Sequence, residues 1–296
     1  MYSIIKHIAI LAMLLVSLSA CMPRVLVNHE QVIKNRVINN PAVKKGIFQG
    51  EASHISYRYT ESHGDTILVF IHGTPGDWSA LGHFLVDDEL SKYAALRISL
   101  DRPGWGAVSE RSKTAFSLLS MAEQSAQITL FMDSLREQYP QAPIILVGHS
   151  YGASLAARLL MDKPEYVQGV MLLAGPLDPS LAGRRWYHHL ADTALLKKIL
   201  SDDLNKANVE MTSLQADLTA MLPYWQSIKV PITIIQGTKD KLVPAANSDF
   251  IRKVIEPDYL RLIDLDKQGH FIPWERYALV VKELRSLLDK NTAITD

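Results

Sequence analysis

Apolar positions along the chain fall into short, near-continuous runs separated by longer stretches of helical period. The runs Ile55–Thr60, Ile67–Ile71, Leu96–Leu100, Ile144–Val147, Val170–Leu173, Ile232–Gln236 and Tyr259–Ile263 read as strands. The central runs are rich in Val, Ile and Leu without polar alternation, which predicts strands buried on both faces. Helical patterns at Ser79–Tyr93, Met121–Tyr139, Ala153–Met161, Ala245–Val254 and Arg276–Leu288 lie between them, and Pro140 and Pro143 end one helix before its strand. Strand and helix in alternation predict the α/β class, with a mostly parallel central sheet flanked by helices.

The alternation breaks between Pro176 and Ile228, where amphipathic segments (Ala194–Leu204, Leu214–Met221) and the patch Arg184-Arg185-Trp186-Tyr187-His188-His189 occur without a strand. Residues 176–228 therefore read as a helical cap inserted into a core made of 51–175 and 229–296. Ligands of open parallel sheets bind at the carboxyl ends of the strands, so an insertion leaving one such end is placed to roof a site.

The first twenty residues have a different pattern. Lys6 and His7 lead into the apolar run Ile8–Val16, which closes on Ser17-Leu18-Ser19-Ala20-Cys21. A basic-then-apolar segment ending in small residues has the shape of a secretory signal and is too short for a comfortable membrane span. Leu18-Ser19-Ala20-Cys21 also resembles the bacterial lipobox, whose cysteine is lipidated and becomes the first mature residue. Cys21 is the only cysteine of the chain, so no internal disulfide can form and acylation would remove an exposed thiol. The expectation is a signal peptide over 1–20, a polar tether over 21–50, and attachment to a membrane through several acyl chains on Cys21. The resemblance implies an exported lipoprotein of the bacterial cell envelope, and Met22 in place of Asp after the cysteine points to the outer membrane if the cell is Gram-negative. An uncleaved anchor, or an ordinary signal whose cysteine is incidental, is the alternative.

Composition narrows the function classes. A chain of 296 residues, 48% hydrophobic, can fill one large α/β domain with an insertion. Its 31 basic and 31 acidic residues cancel, and no Lys/Arg stripe concentrates positive charge, which argues against a nucleic-acid partner. There is no H-E-x-x-H and no pair of cysteines, and the adjacent His188 and His189 cannot face one ion from a regular helix, so neither a metal nor an organic cofactor is expected.

The candidate chemistry starts at Gly148-His149-Ser150-Tyr151-Gly152, set between the apolar run Ile144–Val147 and a helical segment. Glycines on both sides allow a tight strand-to-helix turn that exposes the serine hydroxyl. The pattern alone would arise in about one random chain of this length in ten, so its strand and helix context carries the weight. A serine hydroxyl needs a base to take its proton and a third group to orient the base. His270, in a loop after the last strand, is the expected base, and Asp240, in the turn after Ile232–Gln236, the expected orienting acid; Asp178 leaves the same sheet end and is the rival acid. His149 is read as packing and His72 as a brace for its loop. The oxyanion formed on a substrate carbonyl needs fixed donors, expected from the backbone N–H of Tyr151 and of Thr74 in the loop Ile71–Gly76.

These residues recur in order as His72-Gly73-Thr74-Pro75-Gly76, Asp101-Arg102-Pro103-Gly104-Trp105-Gly106, Gly148–Gly152, and Gly237-Thr238-Lys239-Asp240 with Gly269-His270. In that order the chain, over about 50–290, resembles the α/β-hydrolase superfamily, in which the triad also runs Ser, Asp, His. The resemblance implies that 101–106 shapes the pocket floor. Serine at 150 departs from the aspartate nucleophile of haloalkane dehalogenases and epoxide hydrolases, and His-Gly-Thr-Pro-Gly departs from the His-Gly-Gly-Gly loop of many lipases and esterases. The expectation is a serine hydrolase, a carboxylesterase first, acting on a small-molecule acyl substrate through an acyl-enzyme. Aminopeptidase, thioesterase and carbon–carbon hydrolase activities share the triad, and a membrane-tethered binding protein with an idle triad is the reading from another class.

Overall fold

The computed structural model describes residues 32, 34–50, 54–106 and 119–292, with side chains through 289; the expected leader and Cys21 lie outside the described residues. One eight-stranded sheet has the order β1-β2-β4-β3-β5-β6-β7-β8. Its strands are β1 Lys44–Gln49, β2 His54–Glu61, β3 Thr66–Ile71, β4 Ala94–Leu100, β5 Ile144–His149, β6 Val167–Leu173, β7 Ile232–Gly237 and β8 Leu260–Leu265. β1 and β2 are antiparallel to their neighbours, and the six strands from β4 to β8 along that order run parallel.

Strand side chains divide by period two into two cores. Ile67, Val69 and Ile71 of β3 join one apolar cluster with helices α1 (Met121–Gln138), α2 (Tyr151–Asp162) and Ile251 of α6 (Asn247–Val254). Leu68 and Phe70 point the other way, into a cluster with Val280, Leu284 and Leu288 of α7 (Tyr277–Thr292). β3, β5 and β7 are buried at every position, as their unbroken apolar runs require, whereas β8 at the sheet edge is half-buried. Ser120 and Glu123 start α1 with a reciprocal capping box.

Two expectations are corrected. The run Ser79–Tyr93 is not one helix but three 3-10 turns, Trp78–Ala80, Gly82–Val86 and Leu90–Lys92. Aspartates break it: Asp77 Oδ1 accepts from Ser79 N and Asp87 Oδ1 from Leu90 N, both at 2.8 Å, so side chains compete for the backbone donors at the start of the first and third turns. The expected tether over 21–50 reaches too far, because 44–49 pair with β2 as a full strand and Val37 is buried under the second core. The alternating register of β1 (Gly46 opposite Tyr57, Phe48 opposite Ile55) was hidden by its lysines.

Between β6 and β7 the chain forms the helical cap: α3 (Trp186–Ala191), α4 (Ala194–Ile199), α5 (Asp202–Met221) and a 3-10 turn over Leu222–Ser227. α5 seats Leu214, Leu218 and Met221 in the first core, so the cap is packed onto the sheet domain and not merely hung from it. Among the described residues no helix is long and apolar enough to cross a membrane.

Leu146 sits fully buried in the middle of β5. Its replacement by Ala should cost about 2–5 kcal/mol through lost burial and a residual void, read as a lower urea midpoint at unchanged slope. A loss under about 1 kcal/mol would contradict this placement of the core.

Candidate active site

β5 ends at His149, and the chain reverses into α2 within one residue. That residue is Ser150, at φ 54° and ψ −127°, a conformation side-chain-bearing residues avoid and which costs about 1–3 kcal/mol. The Ser150 N–H donates to Leu173 O at the end of β6 (2.9 Å), and Ser150 O accepts from Ala153 N (2.9 Å). Glycines make the crossing possible: a Cβ on Gly148 would lie 2.2 Å from Gly152 O, and one on Gly152 would lie 2.2 Å from Ile71 O. Ser150 occupies the N-cap position of α2, yet its hydroxyl makes no capping bond. The loop after β3 passes directly over it, since a Cβ on Gly73 would stand 2.8 Å from the Ser150 Cβ.

The loops after β7 and β8 carry Asp240 and His270 and are joined to each other. Thr238 N donates to Leu265 O (3.0 Å), Lys239 N to Gln268 O (2.9 Å) and Lys267 N to Thr238 Oγ1 (2.9 Å). His270 Nδ1 donates to Asp240 Oδ2 at 2.7 Å, with the Asp240 side chain fully buried. Asp240 Oδ1 accepts from Leu242 N (2.8 Å) and Val243 N (2.9 Å). Burial pushes the Asp240 carboxyl up, but the His270 hydrogen bond and charge and the two amides outweigh it, and the group lies below the usual carboxylate range. It can therefore stay ionised and hold the imidazole with Nε2 as the acceptor. Asp178 is turned elsewhere: its Oδ1 accepts from Ser180 N (2.8 Å), and its own N–H goes to Asn247 Oδ1 (2.8 Å).

Two further histidines hold the frame. His149 donates from Nε2 to His270 O (3.1 Å) and meets the Trp274 ring edge-on at 5.2 Å. Through it the residue before Ser150 grips the backbone of His270. His72 donates from Nδ1 to Gly73 O (2.7 Å) and accepts at Nε2 from Arg102 N (3.0 Å), bracing the loop over Ser150. Burial first, then the charge of Arg102 for His72 and of His270 for His149, lowers each to about 3, so both are neutral.

The first backbone amide of α2 is that of Tyr151, and Thr74 lies in the loop crossing above, so both expected oxyanion donors sit on chain segments that touch Ser150. Behind that loop is a buried polar cluster. Arg102 Nη1 donates to Glu210 Oε1 (2.7 Å) and Gln124 Oε1 (2.7 Å), and Nη2 to Glu210 Oε2 (3.0 Å) and Gly73 O (3.1 Å). Trp105 Nε1 (2.9 Å) and Gln124 Nε2 (2.9 Å) also donate to Glu210 Oε1. The Arg102 guanidinium lies over the Tyr151 ring at 4.5 Å. Burial raises the Glu210 carboxyl, but Arg102 and the surrounding donors bring it below its ordinary value. Glu210 was missed from sequence, though a signal existed: it shares a face of α5 with Leu214 and Leu218, a charge at i, i+4, i+8 in an apolar stripe.

Among the described residues no three His, Cys, Asp or Glu side chains cluster so as to hold a metal ion. A cavity of about 220 Å³ whose lining includes Arg36, Val37, His83, Pro273, Trp274 and Tyr277 has neither Ser150 nor His270 in its wall.

A family model described as "Alpha/beta hydrolase family" matches residues 68–283. Human Protein ABHD8 is 24% identical over 237 residues, covering 69% of this chain and 51% of that protein, so the chain spans about half the length of this relative. A putative esterase/lipase of Haemophilus influenzae is 24% identical over 256 residues, 76% of this chain and 84% of the relative. Among solved structures, a bacterial membrane phospholipase A superposes with a TM-score of 0.65 at 17% identity, covering 97% of this chain and 99% of that one, a likeness of fold.

The neutral histidines make stability pH-dependent. Their folded pKa values are depressed from 6.5 to about 3, so their contribution is fully present above pH 6.5 and is lost as pH falls towards 3. Each should remove about 1.4 kcal/mol per pH unit in that window. Urea unfolding at pH 7, 6 and 5 should show the decline, and His149→Gln should flatten it; an unaltered slope in that variant would contradict a buried neutral His149.

Proposed function

The chain belongs to the alpha/beta hydrolase family, and on that premise we propose that it is a serine hydrolase of carboxylic esters in which Ser150, His270 and Asp240 form the catalytic triad. The observation that carries this reading is the 2.7 Å His270–Asp240 bond, made on the loop whose His270 carbonyl is held by His149, the residue before the strained serine. In the proposed cycle His270 Nε2 takes the Ser150 proton as Oγ attacks the acyl carbonyl. Asp240 stabilises the imidazolium, and the amides of Thr74 and Tyr151 receive the oxyanion. The tetrahedral intermediate collapses as His270 passes the proton to the leaving alkoxide. Water, deprotonated by the same imidazole, then releases the acid and restores Ser150. The esterase/lipase name borne by the Haemophilus influenzae relative agrees with an ester substrate.

Ser150→Ala should lower ester turnover by several powers of ten while leaving the unfolding free energy from urea within about 1 kcal/mol, and should abolish labelling by a fluorophosphonate probe. Retained turnover, or no labelling of the unaltered protein, would remove the triad assignment. A panel of chromogenic esters of graded acyl length, with amide and thioester analogues, should rank esters first.

The leader and Cys21 belong to the same proposal: an exported lipoprotein held on the cell envelope by acylated Cys21. Expressed in full in a bacterium, the protein should partition with membranes and gain the mass of its acyl chains. Cys21→Ser should do neither, and a Cys21→Ser protein that still carries lipid would refute the anchor.

A further inference from the structure

The buried cluster behind the loop over Ser150 is unused by the proposed cycle. Arg102 and Glu210 have side chains exposed by 0% and 1%, and they come from the loop after β4 and from cap helix α5, 108 residues apart. Replacing a buried ion pair by apolar side chains of similar volume is often neutral or stabilising. Stability alone therefore gives little reason for a carboxylate at this point of an otherwise apolar face.

The contacts indicate another role. The Gly73 carbonyl receives two donors, His72 Nδ1 at 2.7 Å and Arg102 Nη2 at 3.1 Å. The Gly73–Thr74 peptide is trans, and in a trans peptide the C=O and the following N–H point in opposite directions. Fixing Gly73 O therefore fixes the aim of Thr74 N–H, away from Arg102. Arg102 can hold that carbonyl only while its own fork is held, and Glu210 does this with both oxygens, at 2.7 and 3.0 Å. Gln124 and Trp105 in turn hold Glu210 Oε1.

We propose that Glu210 is a positioning residue: from the cap, through Arg102 and the Gly73 carbonyl, it aims the Thr74 amide at the developing oxyanion. The assembly of the oxyanion hole then depends on the cap being seated. This rests on the serine-hydrolase reading above, and it adds a residue that touches neither substrate nor triad. Because the Thr74 amide acts on charge that develops in the transition state, the effect belongs in kcat and not in KM.

The test uses the full chain and one chromogenic ester. Glu210→Gln should lower kcat at least about tenfold, part of the 10²–10³ lost when an oxyanion donor is removed outright, with KM changed less than about twofold. That variant leaves Arg102 buried without its counter-charge and is expected to unfold at lower temperature, so a second one separates the roles. Arg102→Met with Glu210→Leu should restore the melting temperature while kcat stays depressed. The proposal is overturned if kcat recovers together with stability, if the loss falls in KM, or if neither variant folds, since the pair is then structural. Ser150→Ala run alongside keeps the two readings apart: its retained activity sinks the triad, whereas a dead Ser150→Ala beside a fully active double variant sinks only the role of Glu210.

Discussion

Ser150 is held at φ 54° because three strand ends meet where the chain turns, and the architecture of the site depends on that crossing. β5 delivers the residue, β6 takes its N–H on Leu173 O, and β3 presses against the start of α2 so closely that Gly152 admits no side chain. A conformation costing about 1–3 kcal/mol persists only where the surroundings over-determine it. Here they do so with central strands buried at every position. The core on both faces of the sheet is thus what keeps a hydroxyl uncapped at the head of a helix.

Around that fixed point the loops are matched to one another more than to the sheet. The β7 and β8 loops share two backbone bonds and one from Lys267 N to the Thr238 hydroxyl, and Gly237 lets them approach until an added Cβ would meet Gln268 O at 2.4 Å. Asp240 and His270 consequently arrive as a preassembled pair. Asp240 is kept ionised by three partners, His270 and the amides of Leu242 and Val243, and His270 is gripped by its backbone carbonyl, so the pair is held in one geometry. His72 and His149 contribute by the opposite property. Held neutral in full burial, each offers one defined N–H to one carbonyl.

The cap is joined to this machinery by a charge and not only by grease. Leu214, Leu218 and Met221 seat α5 on the first core, and one turn earlier the same face presents Glu210 to Arg102. A buried carboxylate with four donors defines geometry that apolar contact leaves loose, because unpaired alternatives carry the desolvation penalty of both ions. The insertion between β6 and β7 is therefore linked through hydrogen bonds to the loop lying over Ser150.

Local pattern determined the α/β class, seven of the eight strands and the motif order, since unbroken apolar runs, helical period and glycine placement are properties of neighbouring residues. It also narrowed the loop residues to Ser150, Asp240 or Asp178, and His270, all expected at one end of the sheet. The exceptions have local causes as well: β1 is a lysine-bearing edge strand, and aspartate caps cut Ser79–Tyr93 into turns. Tertiary structure alone decided which carboxylate His270 takes, because Asp240 and Asp178 stand at adjacent strand ends and only loop closure turns one inward. It alone paired Arg102 with Glu210, for no local pattern links positions 108 apart until the cap folds back across the sheet and leaves each charge the other as its partner out of water.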